Sequence, residues 1–188
     1  MIRSFLAIEI SDDLKKKVAE YIEDLSQIPS KVKWVSSRQV HLTLKFFGNI
    51  SQEVVEKISQ DLPPVVADFH RFHLTIKGLG AFPNLFRARV IWLGLAGETE
   101  ILLGLHQAIE RALFPLGIPM EDRPFRGHLT LGRNKDNQLN QGLYRWLSER
   151  SFEESPPFEV EELILFRSDL KPTGPEYSKL KTFPLSSR

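Results

Sequence analysis

The sequence contains no cysteine. That excludes disulfides, thiol nucleophiles, iron–sulfur clusters and thiolate zinc sites. It also lacks any apolar run approaching the ~18 residues of a membrane span. A large charge of either sign is missing too: 25 Lys and Arg against 24 Asp and Glu leave a formal charge of +1. With that balance, affinity for a polyanion has to come from local clusters and not from the chain as a whole. The opening MIRSFLAIEISDD is too short and too quickly acidic for a signal peptide, and reads as a strand. At 188 residues, 41% hydrophobic and 26% charged, the chain is expected to be a cytoplasmic globular domain large enough to bury a core.

Histidine is scarce, at five residues, yet three of them stand in the tripeptide HLT: His41–Thr43, His73–Thr75 and His128–Thr130. Composition alone predicts roughly 0.02 such tripeptides. The pattern around them sorts the three. Arg3–Ile10 alternates like a strand, and Ser11 or Asp12 can cap a helix reaching about Leu25. KVKWV and Val40–Gly48 read as strands. ISQEVVEKISQDL reads as an amphipathic helix capped by Ser51 and stopped by Pro63–Pro64, and FHLTIKGLG as a further strand.

The order then repeats. Arg87–Leu95 is a strand, ETEILLGLHQAIERALFPLG a helix and RGHLTLGR a strand; NQLNQGLYRWLSER is a helix and FEVEELILFRSDL a strand. Arg3 and Arg89 stand 86 residues apart, His41 and His128 stand 87 apart. This predicts an internal duplication: lobes of roughly residues 1–80 and 88–170 related by a pseudo-twofold axis, joined across Gly80–Ala88, with the C-terminal tail packing back. The expected fold is α+β, two mostly antiparallel sheets lining a central cleft with helices outside. His41 and His128 occupy equivalent places. The shift sets His73 opposite Glu159, so it falls outside the pair, and His70 and His106 read as structural or solvent-facing.

In a strand, residues i and i+2 share a face. His41 therefore sits with Thr43 and His128 with Thr130, while Leu42, Leu44, Leu129 and Leu131 face the core. A twofold relation gathers two imidazoles and two hydroxyls around one point. Imidazole titrates near ~6.5, so one ring can be neutral and its partner protonated at neutral pH. That set suits a phosphodiester: one ring takes a proton from the attacking oxygen, the other gives one to the leaving oxygen, and the hydroxyls donate to the non-bridging oxygens. No carboxylate lies within five residues of either of these HLT triplets, so no metal and no other cofactor is expected. Lys45 and Phe47 continue the parity of His41 and Thr43; Lys45 could meet phosphates and Phe47 could stack on a base or simply pack. Arg123, Arg126 and Arg133 form a local basic cluster able to touch RNA, or a solvated loop.

HLTLKFFG and HLTLGR, with GLGAFPN and RVIWLGL between them and YSKLKTFPL at the close, resemble the 2H phosphoesterases. Within that group the likeness, spanning nearly the whole chain, is to the bacterial and archaeal RNA 2′,3′-cyclic phosphodiesterases, historically called 2′-5′ RNA ligases. The resemblance implies metal-independent hydrolysis of a 2′,3′-cyclic phosphate at an RNA end, such as that of a tRNA fragment, to a 2′-phosphate. Reverse 2′-5′ joining of RNA ends explains the older name. It implies His41 as general acid on the departing 3′ oxygen and His128 as general base on water, with Thr43, Thr130 and Arg133 holding the phosphate. Strand parity alone turns Arg133 away from His128 unless Gly132 ends or bends the strand. Gly127 departs from the proline that relatives often carry there. No membrane and no obligate protein partner are expected, and the chain is expected to be a monomer. Two alternatives stay open: the same chemistry on another ribose phosphate, such as a cyclic phosphate derived from ADP-ribose or a 2′-5′ oligonucleotide, and a non-catalytic RNA-end binding protein.

Overall fold

The computed structural model describes residues 1–136, 138–172 and 174–187. Along the chain lie β1 (Ile2–Glu9), α1 (Asp12–Ser26), β2 (Val32–Trp34), β3 (His41–Ile50), α2 (Gln52–Ala67), β4 (Phe72–Phe82) and β5 (Val90–Gly97). There follow α3 (Thr99–Leu113), β6 (His128–Asn134), α4 (Gln141–Glu149), β7 (Phe158–Val160), β8 (Glu162–Lys171) and β9 (Gly174–Pro184).

The helix starts are where serine can accept. Ser11 Oγ takes the Leu14 N–H at 3.4 Å to open α1, and Ser51 Oγ takes the Val54 N–H at 3.3 Å to open α2. The expected stop at Pro63–Pro64 does not occur: α2 contains both prolines and runs on to Ala67. Val55, Ile58, Leu62 and Val66 make one buried stripe, and both prolines lie on the exposed side. Burial of Val66 outweighs the two backbone bonds that proline cannot donate, whose carbonyls are left near solvent.

Among the described residues the strands form one antiparallel sheet in the order β7-β4-β5-β6-β3-β1-β8-β9, with β2 also pairing β6. The two expected sheets are thus two arms of one, joined where Leu42 pairs with Leu129. The arms do not coincide with residues 1–80 and 88–170. β4 lies between β5 and β7, and β8 lies between β1 and β9, so each arm takes a strand from the opposite half of the sequence. The reason is local: the chain turns after Phe82 with the Arg89 N–H on the Phe82 carbonyl (2.8 Å), so β4 and β5 close as a hairpin. The strand order still mirrors itself about the junction, β4-β5-β6 against β8-β1-β3.

One side of the sheet buries Leu6, Ile8, Leu42, Leu44, Ile91, Leu93, Leu129 and Leu131 against helix residues such as Val18, Ile58, Leu105 and Leu143. The opposite side holds a small cluster of Phe5, Ala7, Ile164 and Phe166 with Tyr177 beside it. Tyr177 belongs to β9, a full strand where the sequence suggested only a tail. Its Lys179, Leu180 and Lys181 are exposed, as an edge strand requires. No helix among the described residues is long and apolar enough to cross a membrane.

Candidate active site

The Leu42–Leu129 pair is antiparallel, which sets His41 across from Thr130 and Thr43 across from His128. All four side chains lie on the sheet face turned away from the helices. In a regular antiparallel pair such a diagonal, here His41 to His128, spans about 7–8 Å. A phosphoryl group fits between two imidazoles at that separation.

Both strands then bulge at equivalent places. The β1–β3 register slips between Leu6↔Lys45 and Ala7↔Thr43, leaving Leu44 extra. The β5–β6 register slips between Ile91↔Gly132 and Trp92↔Thr130, leaving Leu131 extra. A bulge inverts the alternation beyond it. Arg133 is thereby returned to the face of His128 and Thr130, and its charge bears on both His128 and Tyr177. The same inversion removes Lys45 and Phe47 from the cleft face, which corrects the expectation that they meet RNA and leaves Phe47 the packing role that the sequence equally allowed. Lys45 is 3% exposed and ion-paired to Glu110, and Phe47 packs on the helix-side core. Phe46 stands on the cleft face instead, 56% exposed with its ring 5.6 Å from Phe5.

The two histidines have different surroundings. His41 stacks on Phe5 (4.7 Å, 21°) and meets the edge of Tyr177 (5.5 Å, 78°). Burial lowers its pKa to about 4, although a backbone hydrogen bond at Gln39 and the Glu9 carboxylate both favour the charged ring. His128 meets Phe82 edge-on at 5.0 Å, with Trp92 at 6.3 Å. Its Nδ1 stands 2.7 Å from the Arg126 carbonyl. A carbonyl only accepts, so Nδ1 carries the hydrogen and Nε2 turns its lone pair outward. Burial lowers the His128 pKa; the Arg126 carbonyl opposes this and Arg133 adds to it.

Arg126 therefore serves the site through its backbone. The side chains of Arg123 and Arg126 are exposed on the loop before β6. His73 lies apart on β4, its Nδ1 3.7 Å from Glu98, and His106 is buried against Phe125 at 4.0 Å. No group of three or more His, Asp or Glu able to hold a metal occurs among the described residues. Sequence reasoning missed Phe5, Phe46, Phe166 and Tyr177. Three of them belong to strands whose facing depends on a bulge or on an exchanged neighbour; Tyr177 belongs to a strand with almost no apolar alternation.

A curved antiparallel sheet with two H-x-T strands side by side on its open face defines a 2H phosphoesterase fold. The family model described as the 2′-5′ RNA ligase superfamily matches residues 12–172, and the chain belongs to that family. It is 36% identical over 183 residues to a protein of Archaeoglobus fulgidus named RNA 2′,3′-cyclic phosphodiesterase, covering 97% of this chain and 99% of that one. A Thermotoga maritima protein of the same name is 33% identical, with 95% and 93% covered. Among solved structures, E. coli LigT in its apo form superposes with a TM-score of 0.79 over 98% of each chain, at 23% identity.

Proposed function

We propose that the chain hydrolyses the 2′,3′-cyclic phosphate at an RNA end to a 2′-phosphate, by general acid–base catalysis without a metal ion. The observation that carries this reading is the Leu42–Leu129 pairing, which gathers both histidines and both threonines of the repeated motif on one face. The names of the Archaeoglobus and Thermotoga relatives support the substrate class.

His128, neutral at Nε2, takes a proton from water as the water oxygen bonds to phosphorus. The P–O3′ bond breaks, and protonated His41 delivers its proton to O3′, leaving a 2′-phosphate and a 3′-hydroxyl. Neighbouring charge favours this division of labour. Glu9 stabilises the protonated form of His41, and Arg133 disfavours that of His128. Burial keeps His41 neutral in the empty cleft; the anionic phosphodiester beside it favours the imidazolium. Thr43 and Thr130 donate to the non-bridging oxygens, and Arg133 shares their charge. With an RNA 5′-hydroxyl in the place of water, the same transfers join two ends through a 2′-5′ linkage. RNA carrying such an end, as a tRNA fragment does, is the partner, and the chain acts as a monomer.

The test is incubation with an oligoribonucleotide ending in a 2′,3′-cyclic phosphate in excess chelator. A 2′-monophosphate product is expected. A 3′-monophosphate would reverse the leaving oxygen, and binding without turnover would favour the non-catalytic alternative.

A further inference from the structure

Lys45 does not reach the cleft, yet its buried contacts lead to the second histidine. Its Nζ forms an ion pair with Glu110 Oε1 on α3 at 2.6 Å and donates to the Pro119 carbonyl at 2.7 Å. Glu110 Oε2 accepts the Glu121 N–H at 2.7 Å. One turn earlier on α3, His106 stacks on Phe125 at 4.0 Å and 15°. A backbone hydrogen bond ties the same imidazole to Leu44, the bulged residue of β3. Residues 118–127 contain no helix or strand, and they include Arg126, whose carbonyl orients His128. A loop of that length has no ladder to hold it, so its order depends on such anchors.

We propose that the Lys45–Glu110 pair is a positioning device for His128. It fixes the loop whose Arg126 carbonyl holds the imidazole in its Nδ1–H tautomer, so one H-x-T strand orients the histidine of the other. This deepens the acid–base reading of the site and rests on that reading for its kinetic arm. An apolar pair of similar volume commonly stabilises a core as well as a buried ion pair does. What the charges add is two directed bonds to the loop backbone, at Pro119 and Glu121, which no apolar pair can make. The counterpart of Lys45, 87 residues on, is Gly132. A Cβ there would stand 2.6 Å from Val32 Cγ1, so no side chain can repeat the device in the other half. His41 has less need of it: the segment before it is short and turns through the 3-10 helix Ser37–Gln39.

The experiment compares Lys45→Met and Lys45→Met/Glu110→Leu with the parent chain, by kinetics on a cyclic-phosphate oligoribonucleotide, by Tm, and by 15N NMR of the imidazoles. Lys45→Met is expected to lower kcat on the order of tenfold to a hundredfold. KM should stay within about twofold, since only the reacting geometry is disturbed. The His128 signals should move toward a mixture of tautomers while those of His41 stay put. The double variant should recover Tm and keep both the kcat loss and the mixed tautomer; it carries the test if Lys45→Met alone does not fold. An unaltered His128 spectrum in a folded variant overturns the proposal, as does a double variant that recovers kcat together with Tm. If the parent chain turns over no cyclic phosphate, the NMR arm still decides the positioning claim, and the failure falls on the acid–base reading alone.

Discussion

β3 and β6 carry the same four residues, His-Leu-Thr-Leu, and the same bulge, and they part company just beyond it. Three residues past Thr43 stands Phe46; three past Thr130 stands Arg133. The His41 arm is lined by Phe5, Phe166 and Tyr177, with Glu9 close to the ring. The His128 arm has Phe82, Trp92 and a guanidinium nearby. Duplication places two imidazoles symmetrically; in the proposed mechanism the unlike neighbours are what tell donor from acceptor.

The sharpest way to break this comparison is to delete each ring. His41→Ala and His128→Ala should each lose on the order of 10²-fold or more in kcat with the cyclic-phosphate substrate. His73→Ala, outside the pair, should keep the parent rate. A large loss in a folded His73 variant would contradict the pairing.

The next contrast is between the residues that follow the bulges. Arg133→Ala should cost on the order of tenfold in kcat/KM and flatten its salt dependence, because a phosphate contact is removed. Phe46→Ala should leave kcat alone and raise KM for an oligoribonucleotide several-fold, the signature of a lost stacking surface. Equal effects in both would mean the arms are not specialised.

At the bulges themselves, Gly132→Ala should destabilise the fold by about 1–3 kcal/mol through overpacking. The added Cβ would sit 2.6 Å from Val32 Cγ1 and 2.8 Å from the Trp34 ring, and a fall in the urea midpoint measures the cost.

The last contrast is in stability against pH. His41 has a folded pKa of about 4 against an ordinary 6.5, so in that window the unfolded chain binds the extra proton. The stability present above about 6.5 is therefore lost as pH falls toward the folded value. His41→Phe keeps a ring on Phe5 and should flatten this part of the Tm profile between pH 7 and 4. His128→Phe should remove a slope of the same sign, since burial lowers that pKa also.

The pairing of His41 with His128 could be read from sequence because a repeated tripeptide at a constant offset needs no tertiary knowledge. The caps at Ser11 and Ser51 were legible for the same reason, being bonds between residues three apart. Lys45, Phe47 and Arg133 were not placed correctly by parity, because a bulge shifts the count by one and leaves no residue signature at Leu44 or Leu131. The helix through Pro63–Pro64 needed the buried stripe of α2 to override a local breaker. Tyr177 was invisible because β9 buries so little that its sequence reads as surface.

The exchange of strands between arms has a consequence for how the chain is made. β1 leaves the ribosome well before its partner on one side: Arg167, which pairs with Ser4, follows about 160 residues later. At about 5–20 residues per second that is a wait on the order of 10–30 s. Through it the nascent strand, with Phe5 and Leu6 uncovered on one edge, is the segment on which chaperone capture or misassembly during synthesis should fall.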